Sequence, residues 1–264
     1  MSDILTLENP TARVEISPDE GGRLCSLQIH GLEVLVTRGE SPLHWGCYPM
    51  APWAGRIRNG QFVFDGQTWE LPRTAPPHAI HGTVYGARWT RDGPARLRAD
   101  LGPDWPFPGH VIQEFDLQDT GLACRLELHA HAGRFPASLG WHPWFRRRLE
   151  GGEPASLGFE PTRRYLRDAD GIPTGSTVPP GAGPFDDCFS GLRAPPTLRW
   201  GEALRVTLHS STTHWVLFDE LDHAICVEPQ TGPPDALNIA PRYVEPDRPL
   251  TLDLELRWTS PSPS

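Results

Sequence analysis

A glutamate and two histidines, far apart in the chain, could together move protons on a small polar substrate. In Ile225-Cys226-Val227-Glu228-Pro229-Gln230 an apolar run carries one carboxylate to the end of a strand, and a Pro/Gly-rich stretch follows. A carboxylate held by a rigid element yet open to a cleft suits general-base work. Ala79-Ile80-His81-Gly82 sets an imidazole before a glycine, where the backbone can come close to a ligand. Gly140-Trp141-His142-Pro143-Trp144-Phe145 sets a second imidazole among aromatics, which desolvate it and leave its pKa to a neighbouring carboxylate. Taken singly, each also fits a bland role as a solvated glutamate or a satisfied histidine. Two such histidines with one glutamate favour an acid/base set.

Other polar residues could bind. Arg56, between small Gly55 and apolar Ile57, could aim its planar fork at sugar hydroxyls or a carboxylate, or could form a structural ion pair. Asp186-Asp187-Cys188-Phe189 offers adjacent acids for hydroxyls or a metal, though Asp also serves turns. His129-Ala130-His131 puts two imidazoles on one strand face, a possible metal pair for which spacing places no third ligand. His78 and His81 make no better pair. No metal centre and no cofactor are expected.

Composition narrows the chemistry further. The chain has 264 residues and no lysine, so all 24 side chains counted as Lys plus Arg are arginines. Schiff-base chemistry on lysine, pyridoxal-phosphate enzymes and Walker-A phosphate loops are thereby excluded. A formal charge of -9 argues against a nucleic-acid partner, and Arg146-Arg147-Arg148 is too short a basic run to change that. Five cysteines lie far apart with no CxxC pair, and Cys124 and Cys226 read as small buried hydrophobes. With no signal peptide at the polar start and no apolar run of membrane-spanning length, a cytoplasmic protein without a membrane partner is expected, as monomer or homodimer.

The elements that must hold these residues are strands. Apolar residues alternate at every second position in 12–16, 61–64, 111–117, 123–129, 205–209 and 250–258, which turns one face of each strand to a core. Asp65-Gly66 between 61–64 and 67–71 signals a two-residue hairpin. No amphipathic stretch of helical period stands out, while 30 Pro and 26 Gly favour turns and long loops. Segments 71–78, 102–109, 168–185 and 194–198 read as loops over a sheet rather than linkers. The expectation is an all-β, large antiparallel β-sandwich in one domain over 1–258, with a flexible tail over 259–264.

Five motifs in this order resemble the aldose 1-epimerase (galactose mutarotase) family. They are Gly55-Arg56-Ile57 before Gly60-Gln61-Phe62; Ile80-His81-Gly82; Trp141-His142-Pro143-Trp144-Phe145; Phe185-Asp186-Asp187-Cys188-Phe189; and Ile225 through Gln230 with Pro234-Asp235-Ala236-Leu237-Asn238. The resemblance spans most of the chain. It implies a β-sandwich of the galactose-mutarotase type that binds a monosaccharide in a cleft on one sheet, without cofactor. It also implies that Glu228 takes the anomeric proton, that His142 protonates the ring oxygen with His81 alongside, and that Arg56 and Asp186 hold sugar hydroxyls. Gly55 stands where members carry an Asn directly before the arginine, which removes one implied contact. Asp187 beside Asp186 leaves the choice of sugar ligand open by one position.

The residue chemistry agrees with that implication. Opening a pyranose hemiacetal needs a base at the C1 hydroxyl and an acid at the ring oxygen, and each positioned proton transfer is worth roughly 10²–10⁴ in rate. Three rivals make distinct demands. A hexose-phosphate mutarotase would use Arg146–Arg148 as its cationic pocket. A glycosidase would pair Glu228 with Asp186. A non-catalytic sugar binder would need no acid/base set at all.

Overall fold

The computed structural model describes residues 4–259. Two large antiparallel sheets dominate it. The larger has eleven strands, in the order Leu5–Glu8, Ala12–Ser17, Arg23–Ile29, Cys47–Met50, Gly140–Arg146, Ala224–Gln230, His214–Phe218, Asp186–Ser190, Arg163–Arg167, Pro173–Val178, with Leu32–Glu33 paired beside Arg23–Ile29. The smaller has eight: Thr90–Arg91, Arg96–Asp100, Gly109–Gln118, Gly121–Ala130, Leu250–Thr259, Leu204–Ser210, Thr197–Trp200 and Ser156–Gly158.

The expected all-β sandwich is present, and its core lies between these sheets. In the strand Leu250–Thr259, Leu250, Leu252, Leu254, Leu256 and Trp258 are all buried on one face, as the period-two pattern predicts. Each such side chain contributes roughly 1.5–3 kcal/mol by leaving water. Phe115 from the smaller sheet meets Trp141 from the larger, with ring centroids 6.3 Å apart. One hydrophobic cluster draws on both sheets. Asp65 and Gly66 take positive φ and close the hairpin of Gln61–Phe64 with Gln67–Glu70, where Phe64 faces Gln67.

Two loop expectations need correction. Segment 168–185 contains the strand Pro173–Val178, and the strand Thr197–Trp200 begins inside 194–198. Pro173–Val178 is the outermost strand of its sheet and is mostly exposed, so its Gly, Ser and Thr residues show no apolar alternation. Of the expected tail, Thr259 closes the last strand, and 260–264 lie outside the described residues.

Candidate active site

Alternation divides the central strands of the larger sheet between two tasks. In Ala224–Gln230, Ile225 and Val227 join the sandwich core, while Ala224 and Cys226 pack in a second cluster on the opposite face, beside Tyr48 and Trp144. Glu228 follows on that opposite face by the same two-residue step. In Gly140–Arg146, Trp141 and Phe145 go to the core and Trp144 to the second cluster, which puts His142 on the same side as Glu228. Register lines these side chains up. His142 pairs with Tyr48, the pairs Gly140↔Gln230 and Trp144↔Cys226 bracket His142 and Glu228, and Val216 joins Glu228 to Cys188.

The result is a row across the sheet at the floor of a cleft of about 160 Å³. Nε2 of His142 lies 3.2 Å from Oε1 of Glu228. Gln230, one step along the strand, donates from Nε2 to Oε2 of Glu228 at 3.1 Å. The His142 ring is sandwiched, stacked on Tyr48 at 4.8 Å and on Trp144 at 5.3 Å. His81 meets it edge-on, with centroids 5.1 Å apart and planes at 89°. Glu228 is 2 % exposed, so it is not the solvated carboxylate of the bland reading. The strand also runs two residues beyond it.

His81 and Arg56 reach the cleft from one small element. Arg56–Ile57 pairs with Ala79–Ile80, Arg56 facing Ile80, and the His81 N–H donates to the Gly55 carbonyl at 3.0 Å. Both glycines beside this element are sterically required. A Cβ on Gly55, at φ +70°, would sit 2.7 Å from Cβ of Pro234, so this turn has no room for the asparagine that the resemblance implies. A Cβ on Gly82, at φ +81°, would meet the Ala51 carbonyl oxygen at 1.9 Å. The close approach expected at Gly82 is therefore to the chain's own backbone rather than to a ligand. His81 itself has φ +59°, a costly conformation for a residue with a side chain.

On the cleft wall, Asp186 lies 3.5 Å from Arg56 and 3.4 Å from Arg167. Asp187 is more deeply buried and binds Nε of Arg167 at 3.0 Å, with Arg164 at 3.6 Å. Sequence reading missed Arg167, Gln230 and Tyr48. Gln230 had a signal, since it stands two residues from Glu228 on one strand face. Tyr48 sits in the buried run Cys47–Met50, whose two covered faces hide any alternation. Arg167 gave none, because only pairing of Arg163–Arg167 with Asp186–Ser190 brings it near. Arg146–Arg148 stay out of the cleft. Arg146 donates to the Leu35 carbonyl, Arg147 to those of Asp219, Leu221 and Ala224, and Arg148 to that of Gly152.

Arg23 supports the cleft from below. It is 1 % exposed and donates to the carbonyls of Glu20, Pro42, Trp45 and Tyr85. Its guanidinium also lies over the rings of Trp45 and Tyr48. It thereby fixes the segment that brings Leu43 and His44 to the cleft mouth.

Burial sets the protonation of the floor. It pushes the Glu228 carboxyl well above the usual range, with the Asp186 charge adding to the rise and Gln230 and Arg56 opposing it. Burial likewise drives His142 well below its ordinary value, with His81 assisting, and brings His81 down to about 3, with Arg56 assisting. Glu228 and His142 thus form a net-neutral pair that holds one proton between them. Nδ1 of His81, Nδ1 of His142, Oε1 of Gln230 and Nε1 of Trp144 are buried at the cleft without a hydrogen-bond partner in the chain. Each is closed to solvent, so a ligand hydroxyl satisfies it only if the side chains covering it shift on binding. His142, Cys226 and Glu228 also bring three potential metal-ligand atoms within 4.8 Å of one another. Burial holds the Cys226 thiol well above its usual range, which works against the thiolate a metal prefers.

Residues 3–250 match the aldose 1-epimerase family, and the chain belongs to that family. The uncharacterized protein YphB of Escherichia coli K12 is 23% identical over 150 residues, which cover 54% of this chain and 51% of that relative. A galactose mutarotase-like protein from Clostridium acetobutylicum superposes with TM-score 0.85 at 17% identity, covering 97% of this chain and 94% of the other. Galactose 1-epimerase from Lactobacillus acidophilus NCFM superposes with TM-score 0.78 at 16% identity, with coverage of 97% and 94%. At these identities the superpositions establish a shared galactose-mutarotase-like fold. Among the described residues no helix is long and apolar enough to cross a membrane.

Proposed function

We propose that this protein interconverts the α and β anomers of a free aldohexose. The observation that carries this reading is the Glu228–His142 contact of 3.2 Å on a cleft floor with unpartnered polar atoms around it. The hydroxyl oxygen and ring oxygen of a hemiacetal are bonded to the same carbon. A base for one and an acid for the other must therefore reach neighbouring oxygens, which two side chains 3.2 Å apart on one cleft floor can do.

In the resting pair burial leaves the shared proton on Glu228. The reactive form is its tautomer, carboxylate beside imidazolium, in which Glu228 takes the proton of the C1 hydroxyl as the bond from C1 to the ring oxygen breaks. His142 gives its proton to that oxygen, and an open-chain aldehyde results. Rotation about the C1–C2 bond presents the other face of the carbonyl, and the steps reverse with both residues in exchanged roles. The pair begins and ends with one shared proton, so no net proton enters or leaves. His81 orients the ring oxygen, while Arg56 and Asp186, braced by Arg167, hold hydroxyls remote from the reacting carbon.

Polarimetry of freshly dissolved aldoses, including glucose and galactose, with a chelator present tests the reading. A mutarotation rate well above that of buffer alone is expected. A rate equal to buffer for every aldose would leave a sugar-binding protein without turnover. Acceleration of glucose 6-phosphate alone would move the substrate to hexose phosphates, and hydrolysis of aryl glycosides would make it a glycosidase.

A further inference from the structure

Two walls of the cleft come from separate parts of the chain. Gly55, Arg56 and Pro234 belong to one, and Arg167, Gly171 and Pro173 to the other. The direct pair between them, Arg56 with Asp186, is long at 3.5 Å. Arg58 makes a firmer tie. Its backbone N–H donates to Oδ1 of Asp235 at 3.0 Å, and Asp235, itself buried, donates its own N–H to the Arg56 carbonyl at 2.7 Å. From this fixed base the guanidinium reaches the opposite wall, where Nη1 donates to Oδ2 of Asp170 at 3.1 Å and Nη2 to Oδ2 of Asp168.

Both acids belong to the turn 168–172, which joins the strands Arg163–Arg167 and Pro173–Val178. Asp168 organises that turn. Its Oδ1 accepts from the N–H groups of Asp170 and Ile172 at 3.0 and 3.1 Å, and its carbonyl accepts from that of Gly171 at 3.1 Å. Few apolar contacts hold the turn down. Its one buried side chain, Ile172, belongs to neither apolar cluster, and Pro173–Val178 is the mostly exposed outermost strand. A segment with so few apolar anchors opens at small cost, so even partly exposed ion pairs decide how often it is seated.

We propose that Arg58 is a positioning residue for sugar binding. By clamping Asp168 and Asp170 it seats the turn 168–172, and with it the adjoining Arg167, which braces Asp186 and Asp187. The inference rests on the sugar-binding reading of the cleft given above. Arg58, Asp168 and Asp170 do not themselves line the cleft, so the clamp acts on affinity and leaves the proton transfers at Glu228 and His142 alone. A wall already in place spares the sugar the cost of ordering it. Arginine suits the task because one planar guanidinium serves two carboxylates through separate nitrogens, where a lysine ammonium is a single point charge.

Hydrogen exchange of the sugar-free protein, together with mutarotation kinetics on glucose and galactose, tests the clamp. In Arg58→Gln the amides of Asp170, Gly171 and Ile172 should exchange roughly tenfold faster, while those of the strand Leu250–Thr259 keep the parent rate and show the fold intact. KM should rise about fivefold or more with kcat within about twofold, and Arg58→Lys should recover part of the loss. The sugar is uncharged, so salt acts only through the protein. Going from about 0.05 M to about 0.5 M NaCl should raise KM in the parent more than in Arg58→Gln. Arg125→Gln, which cuts an exposed pair on the other sheet, should change neither exchange in the turn nor KM. Unchanged exchange in Arg58→Gln overturns the proposal, as does faster exchange with KM unaltered, or a fall in kcat alone. A parent without mutarotation would defeat the proposed activity but not this inference, which the exchange rates and calorimetric Kd values for the same sugars then decide. A parent that binds neither sugar overturns both.

Discussion

At the scale of the residue, the proposed function makes one buried carboxyl govern turnover as well as stability. Glu228→Gln keeps the bond from Gln230 feasible but cannot accept the anomeric proton, so kcat should fall on the order of 10²-fold or more, with sugar affinity largely kept. The same variant should melt higher than the parent at pH 8. The unfolded chain gives up the Glu228 proton as pH rises through the ordinary carboxyl range, while the folded chain retains it to higher pH. Stability therefore drains from the parent above that range, and an amide, which never ionises, escapes the loss. Near pH 4 the two proteins should melt alike on this account. Near-full kcat in the variant would place the base elsewhere, and an unchanged difference in melting between pH 4 and pH 8 would contradict the buried-acid account. Parent kcat should pass through a maximum with pH, falling where the Glu228–His142 pair gains a second proton and where it loses its only one.

At the scale of the element, strands were legible where one face is wet and obscure where none is. The strands Gly121–Ala130, Leu204–Ser210 and Leu250–Thr259 alternate and were found from period two alone. Cys47–Met50 and Ala224–Gln230 are buried at every position, so their apolar run carries no period. Glu228, His142, His81, Arg56 and Asp186 could be named from sequence because they sit in recognisable motifs. Tyr48 and Arg167 could not, since their place at the cleft is created by strand pairing. The Gly55 turn gives a test at this scale. Asn tolerates positive φ better than most residues, so the obstacle in Gly55→Asn is Pro234. The single variant should lose about 1–3 kcal/mol, the usual range for overpacking. Pro234→Gly should recover part of that loss in the double variant, as measured by a denaturant double-mutant cycle. Strict additivity would show that the two loops do not press on each other.

At the scale of the whole molecule, buried histidines make the fold sensitive to acid. Below pH 6.5 the unfolded chain takes up a proton at His81 that the folded chain refuses until about pH 3, so stability falls across that window as pH drops. His142 is shifted in the same direction for the same reason. Urea midpoints at pH 7, 5.5 and 4.5 should decline in the parent and decline less steeply in His81→Asn. Equal slopes would mean that other groups govern acid unfolding. Surface pairs such as Arg125 with Asp253 add little to this balance, since exposed ion pairs contribute about 0–1 kcal/mol each.

The two-residue alternation in Gly140–Arg146 and Ala224–Gln230 also bears on how such a protein can change over time. Neighbours in the chain meet different physical demands, one facing the sandwich and the next the opposite face of the sheet. On the proposed function, Val216, Gln230 or Arg167 can be exchanged to suit another sugar while Trp141, Ile225 and Val227 remain as they are. The converse drift is equally open. Structures at 16–17% identity superpose with this chain along nearly its whole length, as a fold whose core and cleft faces interleave would allow.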